Sequence, residues 1–173
     1  MFIIFVGYPK SGKSTFADLL HQECSDLQYP MHVVRPSDWY PDDIDDMTPS
    51  KKTEYQIASW EHALDKTGQL LASEDASSII VLDTCGASPG SFKTLIGVAQ
   101  MHGHKLIAIF MAVPKVLCMK RIDPAIVQRY SSKIRSAVLE YKSICDELII
   151  IKHESLLNWQ SQAKQIAASL SVR

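Results

Sequence analysis

The 173-residue sequence predicts an α/β three-layer sandwich on a mainly parallel five-stranded sheet. Three observations lead there. Strand-length apolar runs alternate with helix-length amphipathic segments along the whole chain. The runs are continuously apolar rather than alternating, as strands covered on both faces require. The composition is that of one ordinary globular domain, with 46% apolar residues, 21% charged residues and a formal net charge of -1. It excludes disorder, collagen and coiled coil as descriptions of the whole.

Phe2–Val6 reads as the first strand and Gly7–Gly12 as a loop with Pro9 and two glycines. Ser14–Cys24 follows as a helix, with Phe16, Leu19, Leu20 and Cys24 at helical spacing. Met31–Val34 predicts a second strand closed by Pro36, and Ser37–Pro49 an acidic, turn-rich stretch. Lys51–Ala72 predicts a helix with Ile57, Trp60, Ala63, Leu64 and Leu71 on one side; Gly68 marks a weak point or an early end. Ser78–Leu82 is a β-branched run, the third strand, ending at Asp83. Pro89-Gly90 precede a helix to about His102, which Gly103 caps. Lys105–Met111 is the fourth strand. Pro114 opens a helix through Arg121, Asp123-Pro124 breaks it, and Ala125–Tyr141 is helical again. Glu147–Ile151 is the fifth strand. Ser155–Leu170 is a final helix carrying Leu156, Trp159, Ala163, Ile166 and Leu170. One domain is expected over 1–173, with a short lid at about 121–130.

No apolar run reaches the length of a membrane span, so no membrane partner is expected. MFIIFVGYPKSGK has no basic region before its apolar stretch and does not read as a signal peptide. The four cysteines (Cys24, Cys85, Cys118, Cys145) form no CxxC pair and sit among apolar neighbours. A reducing, cytoplasmic compartment is expected, with no structural zinc. His102 and His104 flank a glycine and read as surface groups.

Gly7-Tyr8-Pro9-Lys10-Ser11-Gly12-Lys13-Ser14 fits G-x-x-x-x-G-K-[ST] at every fixed position, with Thr15 next, a strand before and a helix after. Successive backbone N–H groups at a helix N-terminus wrap an anion. Lys13 is expected on the β- and γ-phosphates of ATP and Ser14 on Mg²⁺. Such a loop identifies the phosphate donor and leaves the acceptor open.

Asp38 follows a strand whose end falls on the loop's side of the sheet, and can take a proton from an acceptor hydroxyl. Asp83 ends the strongest strand and is a candidate for the Mg²⁺ shell through water, or for orienting the acceptor. The run Asp42, Asp43, Asp45, Asp46 reads as a solvated face rather than a metal cluster. Charge is uneven. Ser37 to Glu61 holds seven acids and two bases; Val113 to Lys142 holds seven bases and two acids. Arg121 and Arg129 bracket the Asp123-Pro124 break and are the two candidates to clamp a phosphoryl group in transit. Trp39, beside Asp38, is a candidate stacking surface for a base.

These blocks, with Ser37-Asp38, Ile79 to Thr84, Val113-Pro114 and Cys118-Met119-Lys120-Arg121, resemble P-loop kinases of the polynucleotide 5'-hydroxyl kinase and zeta-toxin-like type over residues 1 to 151. The resemblance implies the P-loop NTPase sandwich, Asp38 as general base, Asp83 at the acceptor end and a lid arginine on the transferred phosphate. The chain departs from the family where an arginine is expected three residues after the catalytic aspartate, since that position is Pro41. Arg35, three residues before, is the candidate substitute at the acceptor. The lid is also short.

The expected activity is Mg²⁺-dependent transfer of the ATP γ-phosphate to a hydroxyl of a nucleic acid, either a 5'-hydroxyl end or a hydroxymethylated base. The alternatives are a nucleoside or nucleotide kinase with a small acceptor, and a nucleotide-binding switch or NTPase. Near-neutral net charge argues against broad DNA binding and for the small acceptor.

Overall fold

The computed structural model describes residues 1–73, 77–153 and 155–170. Five parallel strands form the sheet: β1 (Phe2–Val6), β2 (Met31–Val34), β3 (Ile79–Leu82), β4 (Leu106–Ala112) and β5 (Glu147–Lys152), in spatial order β2-β3-β1-β4-β5. The helices are α1 (Lys13–Asp26), α2 (Pro49–Ser73), α3 (Lys93–Met101), α4 (Lys115–Met119), α5 (Pro124–Ile144) and α6 (Leu156–Leu170). All five residues of β1 are buried, so the central strand presents apolar side chains to both faces.

The two-residue period divides β1 between two cores. Ile3 and Phe5 face α1 and α6, with Phe16, Leu20, Trp159, Ala163 and Ile166. Phe2, Ile4 and Val6 face α2, α3 and α5, with Leu71, Phe92, Ala99, Ala137 and Tyr141. Each fully buried side chain of this size contributes about 1.5–3 kcal/mol. β1 therefore reads as an unbroken run because each alternate residue has its own layer to fill.

This arrangement places the site. β1 and β3 are hydrogen-bonded neighbours running the same way. The chain leaves β1 for α1 on one face and leaves β3 for α3 on the other. Where adjacent connections part to opposite faces, a crevice opens beyond the strands' carboxyl ends. The loops 7–12 and 83–88 border it.

Several expectations are corrected. α2 runs through Gly68 to Ser73. Ala63, Thr67, Leu70 and Leu71 bury its inner side around the glycine, and packing outweighs the propensity cost. Ile57 and Leu156 fall on exposed sides of their helices, both 55% exposed. His104 is buried, not superficial; its Nε2 lies 3.0 Å from the Leu71 carbonyl, which satisfies the ring inside the protein. Gly103 takes a left-handed φ of 72°, and the Gly103 and His104 amides bond back to Gln100 and Ala99, ending α3 as expected. The helix opened by Pro114 stops at Met119, before Arg121. The segment 121–130 comprises the end of the α4–α5 turn and the first two turns of α5, where the Asp123 side chain accepts from the Ala125 amide at 2.8 Å. Among the described residues, no helix is long and apolar enough to cross a membrane. Among those residues, no group of three or more His, Cys, Asp or Glu side chains is placed to hold a metal.

Candidate active site

The loop between β1 and α1 is shaped by positions that only unusual backbone satisfies. Gly12 has φ 89°, and a Cβ there would lie 2.6 Å from the Trp159 ring. Glycine is thus required twice, for conformation and for space. The Trp159 ring is held from behind, its Nε1 donating to the Lys152 carbonyl at 2.9 Å. It packs edge-on to Phe16, which packs edge-on to Phe5. This aromatic stack joins α6, α1 and β1 and sets the loop's rear wall. On the crevice side, Gly86 has φ 58°, and a Cβ would lie 2.3 Å from the Phe5 carbonyl oxygen. Its absence lets the loop after β3 close on β1, where the Gly7 amide donates to the Cys85 carbonyl at 3.1 Å.

Lys13 lies in the first turn of α1 and is 8% exposed. Its Nζ donates to the carbonyls of Tyr8 (2.8 Å) and Gly7 (3.2 Å), so the ammonium lies over the loop's opening residues. Burial lowers its pKa, against the pull of Cys85, Asp83 and Cys118 nearby. Ser11 Oγ is buried without a hydrogen-bond partner. Lys10, Gly12, Lys13, Ser14, Thr15 and Arg121 line a cavity of about 340 Å³ over the loop. Arg121 reaches it from 111 residues away and donates to the Lys10 carbonyl at 3.0 Å. Pro9 lies in the turn at the loop's start. Arg129 is exposed on α5 and forms no hydrogen bond or ion pair among the described residues. Of the two arginines, the fold brings one to the loop.

The residues fit a nucleotide phosphate with Mg²⁺. Ser14 is exposed in the loop cavity, and the buried Ser11 hydroxyl of the same loop has no hydrogen-bond partner among the described residues. Mg²⁺ takes most of its ligands from phosphate and water, so one protein hydroxyl meets its need. Asp83, at the end of β3, is buried and accepts from Arg35 Nε at 2.9 Å, while the other arm of Arg35 bonds Asp18 of α1. Arg35 therefore ties β2, β3 and α1 together, and Asp83 is an ion-paired carboxylate within electrostatic reach of Lys13.

Asp38 is exposed in the 3-10 turn Pro36–Trp39. The turn is pinned to α2 by Ser59 Oγ, which donates to the Trp39 carbonyl at 3.3 Å. The Trp39 ring stacks on His62, with centroids 6.4 Å apart. The next α2 residue after Ser59, Trp60, walls a second cavity of about 280 Å³ behind Cys85 and Gly86. Trp60 and Phe92 meet there at 5.7 Å, and Tyr130 and Lys133 of α5 close the far side. The nearby Cys85 thiol first, then burial, pushes the Tyr130 phenol up. Trp159, Trp60, Tyr130 and Lys133 carry no local sequence signal for the site, because each acts through neighbours distant in the chain, whereas Cys85 follows Asp83 in the loop that the sequence leads into the site. A larger depression of about 500 Å³, bordered by Asp43, Asp46 and Glu54, shares no residue with either cavity. It lacks the phosphate-binding backbone that defines the loop.

A family model described as an AAA domain matches residues 2–142. No curated protein matches the chain. Solved structures match over nearly the whole chain. A gluconokinase from Sinorhizobium meliloti has 14% identity and a TM-score of 0.59, covering 98% of this chain and 93% of its own. Kti12 from Chaetomium thermophilum, in complex with ADP-AlF3, has 16% identity and a TM-score of 0.56, covering 98% of each. The APS kinase CysC from Mycobacterium tuberculosis, in complex with AMPPNP and APS, has 15% identity and a TM-score of 0.60, covering 99% and 97%. At these identities the likeness is one of fold.

Proposed function

The chain belongs to the AAA domain family, with the P-loop NTPase fold, and from that premise we propose that it is a Mg²⁺/ATP-dependent kinase acting on a small hydroxylated acceptor. The observation that carries this reading is the pair of cavities at one crevice. One lies over the phosphate loop and the other behind Cys85, whose carbonyl accepts from the Gly7 amide at 3.1 Å and so joins the two loops. A hydrolase or switch needs only the first.

In this reading the loop amides and Lys13 hold the triphosphate tail of ATP. Ser14 would hold Mg²⁺, with Asp83 behind a water; the bound ion neutralises charge on the β- and γ-phosphates. Asp38 receives the proton of the acceptor hydroxyl as its oxygen bonds the γ-phosphorus. The bond from that phosphorus to the β–γ bridging oxygen breaks, and ADP leaves with the electron pair. Arg121 neutralises charge on the phosphoryl group in transit, and the turn that carries it acts as the lid.

The polynucleotide reading has less support. Two of the three solved structures above are named for small acceptors, gluconate and APS. The acids at 42–46 follow Asp38 directly and repel a polyphosphate backbone. Trp39 already has His62 as a stacking partner. The test offers ATP labelled on its γ-phosphate with sugars, nucleosides, nucleotides and oligonucleotides. Label is expected on a small hydroxyl compound. Label released only as free phosphate overturns the kinase reading, and label only on oligonucleotides restores the nucleic-acid one.

A further inference from the structure

We infer that the cavity behind Cys85 takes a compact ring-bearing acceptor with an anionic group, and that Lys133 reads the anion. The inference rests on the kinase reading above and specifies the acceptor. Three aromatic side chains, Trp60, Phe92 and Tyr130, line the cavity from three different helical segments. Such walls favour a flat body that stacks, and their area is the main source of affinity. At about 280 Å³ the space lies at the lower limit for small-molecule sites, which fits one ring and excludes a polymer threaded through it.

The charge is one-sided. Lys133 is the cation of the lining, and the lining contains no carboxylate. Lys133 forms no ion pair or hydrogen bond among the described residues, so its ammonium is available to a ligand. Ser88 and Ser91 supply neutral hydroxyls on the β3–α3 connection. At Cys85 the cavity meets the phosphate loop, whose Gly7 amide donates to the Cys85 carbonyl at 3.1 Å. A ring seated with its anion on Lys133 and its hydroxyl toward Cys85 presents that hydroxyl to the loop.

Cys85 supplies a readout that does not need ATP, because it lines the cavity and is partly accessible. The whole chain is treated with iodoacetamide and each cysteine is followed by peptide mass mapping. The probes are 4-(hydroxymethyl)benzoate, its neutral benzamide counterpart and AMP. The benzoate is expected to slow labelling of Cys85, with the benzamide at least tenfold weaker, since one charge-assisted contact is lost. Lys133→Met should remove the advantage of the benzoate and Lys133→Arg should keep it, with Cys85 labelling unchanged when no probe is present. Protection by AMP in preference to the benzoate, again lost in Lys133→Met, keeps the chemistry and assigns it to a nucleotide. Equal protection by acid and amide, no protection by any ring anion, or a Lys133→Met variant that protects normally overturns the inference. Protection with no phosphate transfer in the labelled-ATP test would leave the cavity assignment standing and remove the kinase reading.

Discussion

The two sides of the crevice are built on different principles. The donor side is backbone: Gly12 set against Trp159, Lys13 folded onto two carbonyls, and amides at the start of α1. Arg121 and the supporting Trp159 apart, its residues fall within nine consecutive positions, 7–15. The proposed acceptor side is assembled from side chains of α2, the β3–α3 connection and α5, spread from Trp60 to Lys133. Asp38, in the turn that Ser59 pins to α2, is exposed, while Lys13 is buried. A phosphate has one shape for all its enzymes, so a rigid local motif suffices. An acceptor varies, so its contacts come from parts that change independently.

The sharpest way to break this contrast is to remove one group from each side. Lys13→Ala should cost about a thousandfold in transfer and weaken ATP binding, with the melting temperature nearly unchanged. Asp38→Asn should cost a similar factor, within the roughly 10²–10⁴ range of a general base, with ATP affinity intact. Titration of ATP alongside the transfer rate separates them. Equal loss of ATP affinity in both variants would erase the division into donor and acceptor sides.

Stability gives the next largest effect. Gly12→Ala forces a left-handed conformation on a residue with a Cβ and drives that Cβ into the Trp159 ring, costing about 3 kcal/mol in chemical denaturation. In a Trp159→Ala background the steric part is relieved, so the second cost should be smaller. Strict additivity would show that the ring does not shape the loop. Arg121→Ala should lower kcat about a hundredfold with little change in KM for ATP, while Arg129→Ala stays within about twofold. The reverse order would move the clamp onto α5.

The smallest effect is one of pH. Burial lowers the Lys13 pKa from the ordinary 10.5, and a lysine that loses its proton no longer attracts phosphate. ATP affinity should therefore fall with rising pH before an ordinary lysine titrates, and recover on return to neutral. A flat affinity through that range in calorimetry would mean that the ammonium contributes nothing to binding.

How far the sequence disclosed this molecule follows the same line. β1 to β5 were legible because buried parallel strands are short, continuous apolar runs, and the loop because its glycines sit at fixed spacing. Arg121 and Arg129 could not be separated by spacing, since only the angle of the α4–α5 turn decides which one meets Lys10. Gly68 and His104 misled because their surroundings come from other elements: α2 is held by its buried side, and the histidine by the Leu71 carbonyl. Arg35 was visible only as a charge near Asp38, and its bonds to Asp18 and Asp83 required knowing that β2, β3 and α1 converge. The cavity behind Cys85 was not legible as a whole, because Trp60, the 85–92 connection and the Tyr130–Lys133 turn of α5 are far apart in the chain.

The Trp159 ring behind Gly12 has a consequence for biosynthesis. Gly12 is made 147 positions before the tryptophan that backs it. A nascent chain can display the whole phosphate-binding motif and still lack the support that shapes it. Competence to capture nucleotide should then arrive only when α6 docks, which keeps chains that lack it from sequestering ATP.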